Sequence, residues 1–148
     1  MARRERASFT ALGIAAVRAM ERERPPAERI VDDPYARHFV GEYLHRLIYN
    51  FSKLGLAERR GPGVIGWLLA RERAIDEYLL REAATGIEQM VVLGAGYDAR
   101  AYRFARKLGG ARVFEVDTPA TQAAKRERVE KFLDEVDLSL TFVPVNFE

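Results

Sequence analysis

The chain is 148 residues long, 48% apolar and 31% charged, one domain's worth of soluble, globular composition. Its 24 basic and 22 acidic residues leave a net charge of only +2, so no basic surface points to nucleic acid as a partner. There is no cysteine, which excludes disulfides and thiolate metal sites.

The opening "MARRERASFT" is basic but runs into no apolar signal-type segment. The longest apolar stretch, "GVIGWLLA", is far too short to cross a bilayer. A cytoplasmic protein with no membrane partner is therefore expected. From Ser8 to about residue 84 the pattern is helical, punctuated by Pro25, Pro26, Pro34 and Pro62. In "DDPYARHFVGEYLHRLIYNF", Asp33 is a candidate N-cap and Pro34 a candidate first helical residue. Phe39, Tyr43, Leu47 and Phe51 then recur at helical spacing, which predicts one continuous helix. His38 and His45 would share a face of it about 10 Å apart. That is too far for a common metal, and no acid completes a site, so both are read as structural and no metal is expected.

The next helix, "VIGWLLARERAIDEYLL", places Trp67, Ala74, Ile75 and Tyr78 on one stripe with Arg71 in its middle, while Arg73 points roughly the opposite way. A guanidinium on an apolar face needs an anionic partner, because an unpaired buried charge is very costly. That partner is either a protein acid, with the aliphatic stem reaching toward water, or the carboxylate of a bound ligand.

From about residue 86 the pattern changes. "EQMVVLGAG" reads as a buried strand, "YDARAYRFARKLGG" as a helix closed by glycine, and "ARVFEVD" as a second strand. "TPATQAAKRERVEKFLDEV" reads as a helix with Thr118 as cap and Pro119 at its start, and "LSLTFVPVNF" as a third strand. Strands alternating with helices imply a parallel, doubly wound α/β sheet. No internal repeat or low-complexity segment is present.

The first strand runs into Gly94, Ala95 and Gly96, where the backbone can approach a ligand that a side chain would block. The helix N-terminus behind the turn offers free N–H groups. Asp117, about twenty positions on, ends the second strand where it could accept hydrogen bonds from ribose hydroxyls. Two plainer readings stay open: turn glycines with Asp117 merely capping a helix, or, with Ala99 completing G-x-G-x-x-G/A, a dinucleotide site for NAD(P) and an oxidoreductase. The long helical leader weighs against the dinucleotide reading, since dinucleotide domains usually begin with their glycine strand. Such a leader suits a methyltransferase, covering S-adenosylmethionine and shaping the acceptor pocket.

In order along the chain, "DDPYARHFV", "ARERAIDEYL", "VVLGAGYDARAYRF", "VFEVDTPATQAAK" and "FVPVNFE" resemble the leucine carboxyl methyltransferase family from about Ser8 to the last residue. Its bacterial branch consists of S-adenosylmethionine-dependent O-methyltransferases, and its eukaryotic members methylate the C-terminal leucine carboxylate of a protein phosphatase. The resemblance implies an α/β, Rossmann-like methyltransferase fold. Residues 1–85 would form an N-terminal helical cap and 86–148 the first half of the cofactor domain, truncated after the third of seven strands.

The resemblance also implies roles. Arg71 would hold the cofactor carboxylate, and Gly94, Ala95 and Gly96 would pass under its methionine part. Asp117 would bind the ribose, and Asn146 and Phe147 would meet the adenine. Asn146 departs from the aspartate usual there, and its amide oxygen would accept a hydrogen bond without charge. Arg18 falls near the family's basic residue at the cofactor carboxylate, while Asp98 and Arg100 serve to fix the turn. The methyl acceptor would be a small-molecule or peptide carboxylate or hydroxyl. The open edge at the third strand would leave the chain inactive alone, or completed by self-association or a separate polypeptide. Without a cofactor, the remaining reading is a helical interaction module with a vestigial nucleotide fold.

Overall fold

The computed structural model describes residues 8–53, 59, 61–131 and 139–147. Helix α1 spans Phe9–Glu21 and opens on Ser8, whose Oγ accepts from the Ala11 amide at 3.2 Å. Its buried side carries Ala15, Ala16 and Ala19, small residues that let neighbouring elements approach closely. A single 3-10 turn follows at Pro26–Glu28.

The helix expected from Asp33 onward is two helices, α2 (Ala36–Val40) and α3 (Glu42–Lys53), separated by Gly41 at φ 81. Pro34 lies in the preceding turn, and Asp33 Oδ1 accepts from the Tyr35 and Ala36 amides at 3.0 and 3.1 Å. The break re-aims the apolar stripe. Phe39 is fully buried, but Tyr43 and Leu47 are exposed, and Leu44 and Ile48 face the core instead. His38 and His45 therefore stand on different helices. His45 is buried with Nε2 3.6 Å from Glu23 Oε1. The Phe51 side chain lies outside the described residues.

Helix α4 spans Val64–Ala83 and begins after Gly63. Strand β1 (Gln89–Leu93) leads through the glycine turn into α5, which is only Arg100–Arg103. The longer helix expected to Gly110 does not form. Arg100 and Arg103 are both tied to Asp76 of α4, and these tertiary ties override local helix preference. Strand β2 (Arg112–Asp117), helix α6 (Pro119–Val129) and strand β3 (Leu140–Pro144) complete the described chain. Thr118 takes the cap position of α6, though its hydroxyl bonds Thr121 Oγ1 at 3.0 Å instead of a backbone amide.

The three strands are parallel in the order β1-β2-β3, with Gln89 opposite Arg112 and Val113 opposite Leu140. This is the α/β, Rossmann-like arrangement expected. The unpaired edge is not at β3 alone, because among the described residues no strand lies beyond β1 either. One cluster packs Ala15, Ala19, Ala36 and Phe39 against Tyr97, Ala99 and Tyr102, so the helical leader clamps the segment after the glycine turn. A second joins Met90, Ala101, Leu108, Ala111 and Val113 beneath the sheet. Burying a side chain such as Phe39 contributes about 1.5–3 kcal/mol. No described helix is long and apolar enough to cross a membrane.

Candidate functional site

The parallel strands deliver their C-terminal ends to one side of the sheet, where α/β proteins place ligands. β1 ends in Gly94 at φ 63, followed by Gly96 at φ 46, both in the left-handed region that favours glycine. The two glycines do different work. A Cβ at Gly94 would meet nothing within 4 Å, whereas one at Gly96 would stand 2.7 Å from Ala11 Cβ. The packing of α1 on the turn therefore by itself demands glycine at position 96.

The turn is held from β2. The Ala95 amide donates to Val116 O at 3.0 Å, and the Gly96 amide to Asp117 Oδ2 at 2.6 Å. Asp117 Oδ1 accepts from the Thr118 amide at 2.6 Å. Each carboxylate oxygen keeps a further lone pair for an incoming hydroxyl. The Val145 amide donates to Asp117 O at 2.9 Å, so Asn146 and Phe147 follow directly beside the end of β2, both exposed.

A cleft of about 640 Å³ lies between α4, α1 and the β1 edge. Its walls include Arg71, Ile75 and Tyr78 of α4, Arg18 of α1, and Gly94, Ala95, Gly96 and Tyr97 of the turn. The structure thus brings Arg71 and the three turn residues together. Asp117 reaches the cleft through the Gly96 amide, while Asn146 and Phe147 are not in its walls.

The Arg71 stripe needs correction. Trp67, Ile75 and Tyr78 are exposed, and the inward face of α4 carries Leu69, Glu72 and Asp76. Arg71 is not a core guanidinium. It is 40% exposed, 5.4 Å from the Trp67 ring centroid, with Nη2 donating to Glu72 Oε1 at 3.1 Å. Its Nε is buried without a hydrogen-bond partner among the described residues, so one donor is left for a ligand at the cleft wall. Arg73 points away and pairs with Glu77 at 2.7 Å.

The inward acids of α4 were not singled out by sequence reasoning, although their four-residue spacing marks one helix face. Arg18 is almost fully buried. It donates to Tyr97 O at 2.6 Å and Glu72 Oε2 at 3.3 Å, and its Nε lies 2.9 Å from Asp33 Oδ2 as an ion pair without hydrogen-bond geometry. Arg100 donates from Nε to Asp76 at 2.7 Å, from Nη2 to Glu72 at 2.9 Å, and from Nη1 to Asp98. Burial works to raise the Glu72 and Asp98 carboxyls, but Arg100 and Arg18 overcome it and hold both below the usual carboxylate range. Burial likewise works to lower the Arg100 pKa, and Asp98, Asp76 and Glu72 drive it upward instead. The Tyr102 hydroxyl, buried and without a hydrogen-bond partner among the described residues, is pushed up by burial, then by Glu115 and Asp98. Among the described residues no His, Asp or Glu groups gather as a metal site.

The leucine carboxyl methyltransferase family model matches residues 11–148. A Mycobacteroides abscessus protein is 42% identical over 120 residues, covering 79% of this chain and 37% of its own length. One from Rhodococcus jostii is 42% identical over 123 residues, covering 80% and 39%. One from Mycobacterium tuberculosis is 32% identical over 152 residues, covering 96% and 48%. All three bear the name "Putative S-adenosyl-L-methionine-dependent methyltransferase". The chain spans less than half the length of each of these relatives. With its family model matched from helix α1 to the last residue, the chain belongs to the leucine carboxyl methyltransferase family.

Proposed function

We propose that this chain is the cofactor-binding part of an S-adenosylmethionine-dependent O-methyltransferase. The observation that carries the reading is the cleft that joins the glycine turn, latched to Asp117, with an Arg71 Nε that has no partner among the described residues. Its donors suit an amino acid carboxylate, and the open space at Gly94 leaves room for a ligand over the turn. In this reading Arg71 holds the carboxylate, and Gly94, Ala95 and Gly96 pass under the amino acid part. Asp117 accepts from the ribose hydroxyls, and Asn146 and Phe147 approach the adenine. When bound, the cofactor supplies a methyl group already activated on a sulfonium. The residues here contribute alignment and removal of water.

The acceptor we propose is a carboxylate. Such a group is ionised at neutral pH and needs no general base, whereas a hydroxyl needs one. Glu72 and Asp98 in the cleft wall are held ionised by arginines and make poor bases. Calorimetric titration with S-adenosylhomocysteine, with NAD as control, tests the cofactor reading. Saturable binding of the sulfur ligand alone is expected, and binding of NAD alone would end the reading.

A further inference from the structure

One buried ionic pair lies outside the cleft. Lys125 of α6 and Glu115 of β2 are each 1% exposed, with Nζ 2.5 Å from Glu115 Oε2. Removing two charges from water costs several kcal/mol per ion, and a well-packed apolar pair of similar volume often serves stability as well or better. Among the described residues Glu115 Oε1 has no hydrogen-bond partner, and burial pushes this carboxyl above its ordinary range against the pull of Lys125. Stability alone is a poor account of such a pair.

The ammonium does something an apolar residue cannot. Lys125 Nζ also donates to Asp98 O at 2.6 Å, and it lies 5.5 Å from the Tyr102 ring centroid. Asp98 closes the turn that begins at Gly94, its own amide donating to Ala95 O at 2.7 Å. Asp117 grips the same turn at the Gly96 amide. Glu115 and Asp117 are two residues apart on β2 and so share a face of the sheet. Besides the backbone bond from the Ala95 amide to Val116 O, the turn is thus fastened by two side chains of β2, directly by Asp117 and through Lys125 by Glu115.

We infer that Lys125, held by Glu115, is a positioning residue that sets the geometry of the Gly94–Asp98 turn for ligand binding. For the ligand this rests on the cofactor reading above; for the turn it stands on the contacts themselves. The decisive variant is Lys125→Met with Glu115→Leu in the full chain, which removes both charges and keeps apolar volume. Urea unfolding is expected to be unchanged or to shift to higher concentration. Amide hydrogen exchange at residues 95–98 is expected to speed up, with the rest of the sheet unaffected. S-adenosylhomocysteine is expected to bind about tenfold more weakly, equivalent to roughly 1.4 kcal/mol. Unchanged exchange in the turn would overturn the inference. So would a double variant that fails to fold, since the pair would then be structural. If the wild-type chain binds no S-adenosylhomocysteine while exchange in the turn still responds, the cofactor reading falls and the fastening through Lys125 stands.

Discussion

Gly96 and Arg71 show how single residues acquire their roles. Gly96→Ala brings a Cβ to 2.7 Å from Ala11 Cβ at a φ of 46. Overpacking of this kind costs about 1–3 kcal/mol, and the left-handed conformation adds about 1–2 kcal/mol. Adding Ala11→Gly should recover the overpacking part and leave the conformational part, as read by thermal unfolding of the single and double variants. Gly94→Ala, facing open space, should cost only the conformational part. Arg71→Met should weaken S-adenosylhomocysteine by about 1.5 kcal/mol, the low end for a charged hydrogen bond because the guanidinium is partly solvated. Arg73→Met should leave the affinity unchanged. Equal losses at the two positions would contradict the cleft geometry.

Helix α4 and the turn meet through ions, and the join should be sensitive to acid. Asp76 receives both Arg100 and Arg103, at 2.7 and 2.5 Å, all three side chains at least nine-tenths buried. Asp76→Ala leaves two buried guanidinium groups short of a partner and should destabilise the chain by about 3–5 kcal/mol, checked by urea unfolding. The pH dependence has two opposite parts. Glu72 and Asp98 have lowered pKa values in the folded chain. Their contribution is complete above the unfolded values of about 4 and is lost as pH falls through the lower folded ones. Glu115 is raised, so its contribution is present below about 4.3 and is lost as pH rises through its folded value. Urea midpoints measured from neutral to acid pH should fall more gently for Asp98→Asn than for wild type. Glu115→Gln should gain on wild type as pH rises.

The three-stranded sheet as a whole is covered unevenly. On the face shared by Val91, Leu93, Phe114, Val116 and Val143, Val91 and Leu93 are 57% and 73% exposed and the others are only half-buried. Parallel sheets are ordinarily buried on both faces, and contiguous exposed apolar surface promotes association. The 148-residue polypeptide alone should bind an apolar dye and associate as its concentration rises. Val91→Glu with Leu93→Glu should reduce both, as read by dye fluorescence and sedimentation.

Much of this was legible in the residues. Apolar runs ending in Gly94 and Asp117 marked strands, turn and acid, because strand periodicity and glycine turns are local properties of the chain. The family resemblance was legible for the same reason, in motifs of contiguous residues. What lay beyond reach depended on distant contacts. The helix beginning near Asp33 breaks at Gly41, and α5 stops after Arg103, since the positions of Phe39, Asp76 and their partners decide between local alternatives. The Arg71 stripe was found by periodicity, but only packing shows that it faces a cleft while Glu72 and Asp76 turn inward. A helix wheel orders residues around an axis and cannot say which side meets the protein. The need for glycine at position 96 comes from Ala11, far away in sequence, and the work of Lys125 comes from Asp98 O. Such demands arise only when separate elements are brought into contact, so tertiary structure alone decides them.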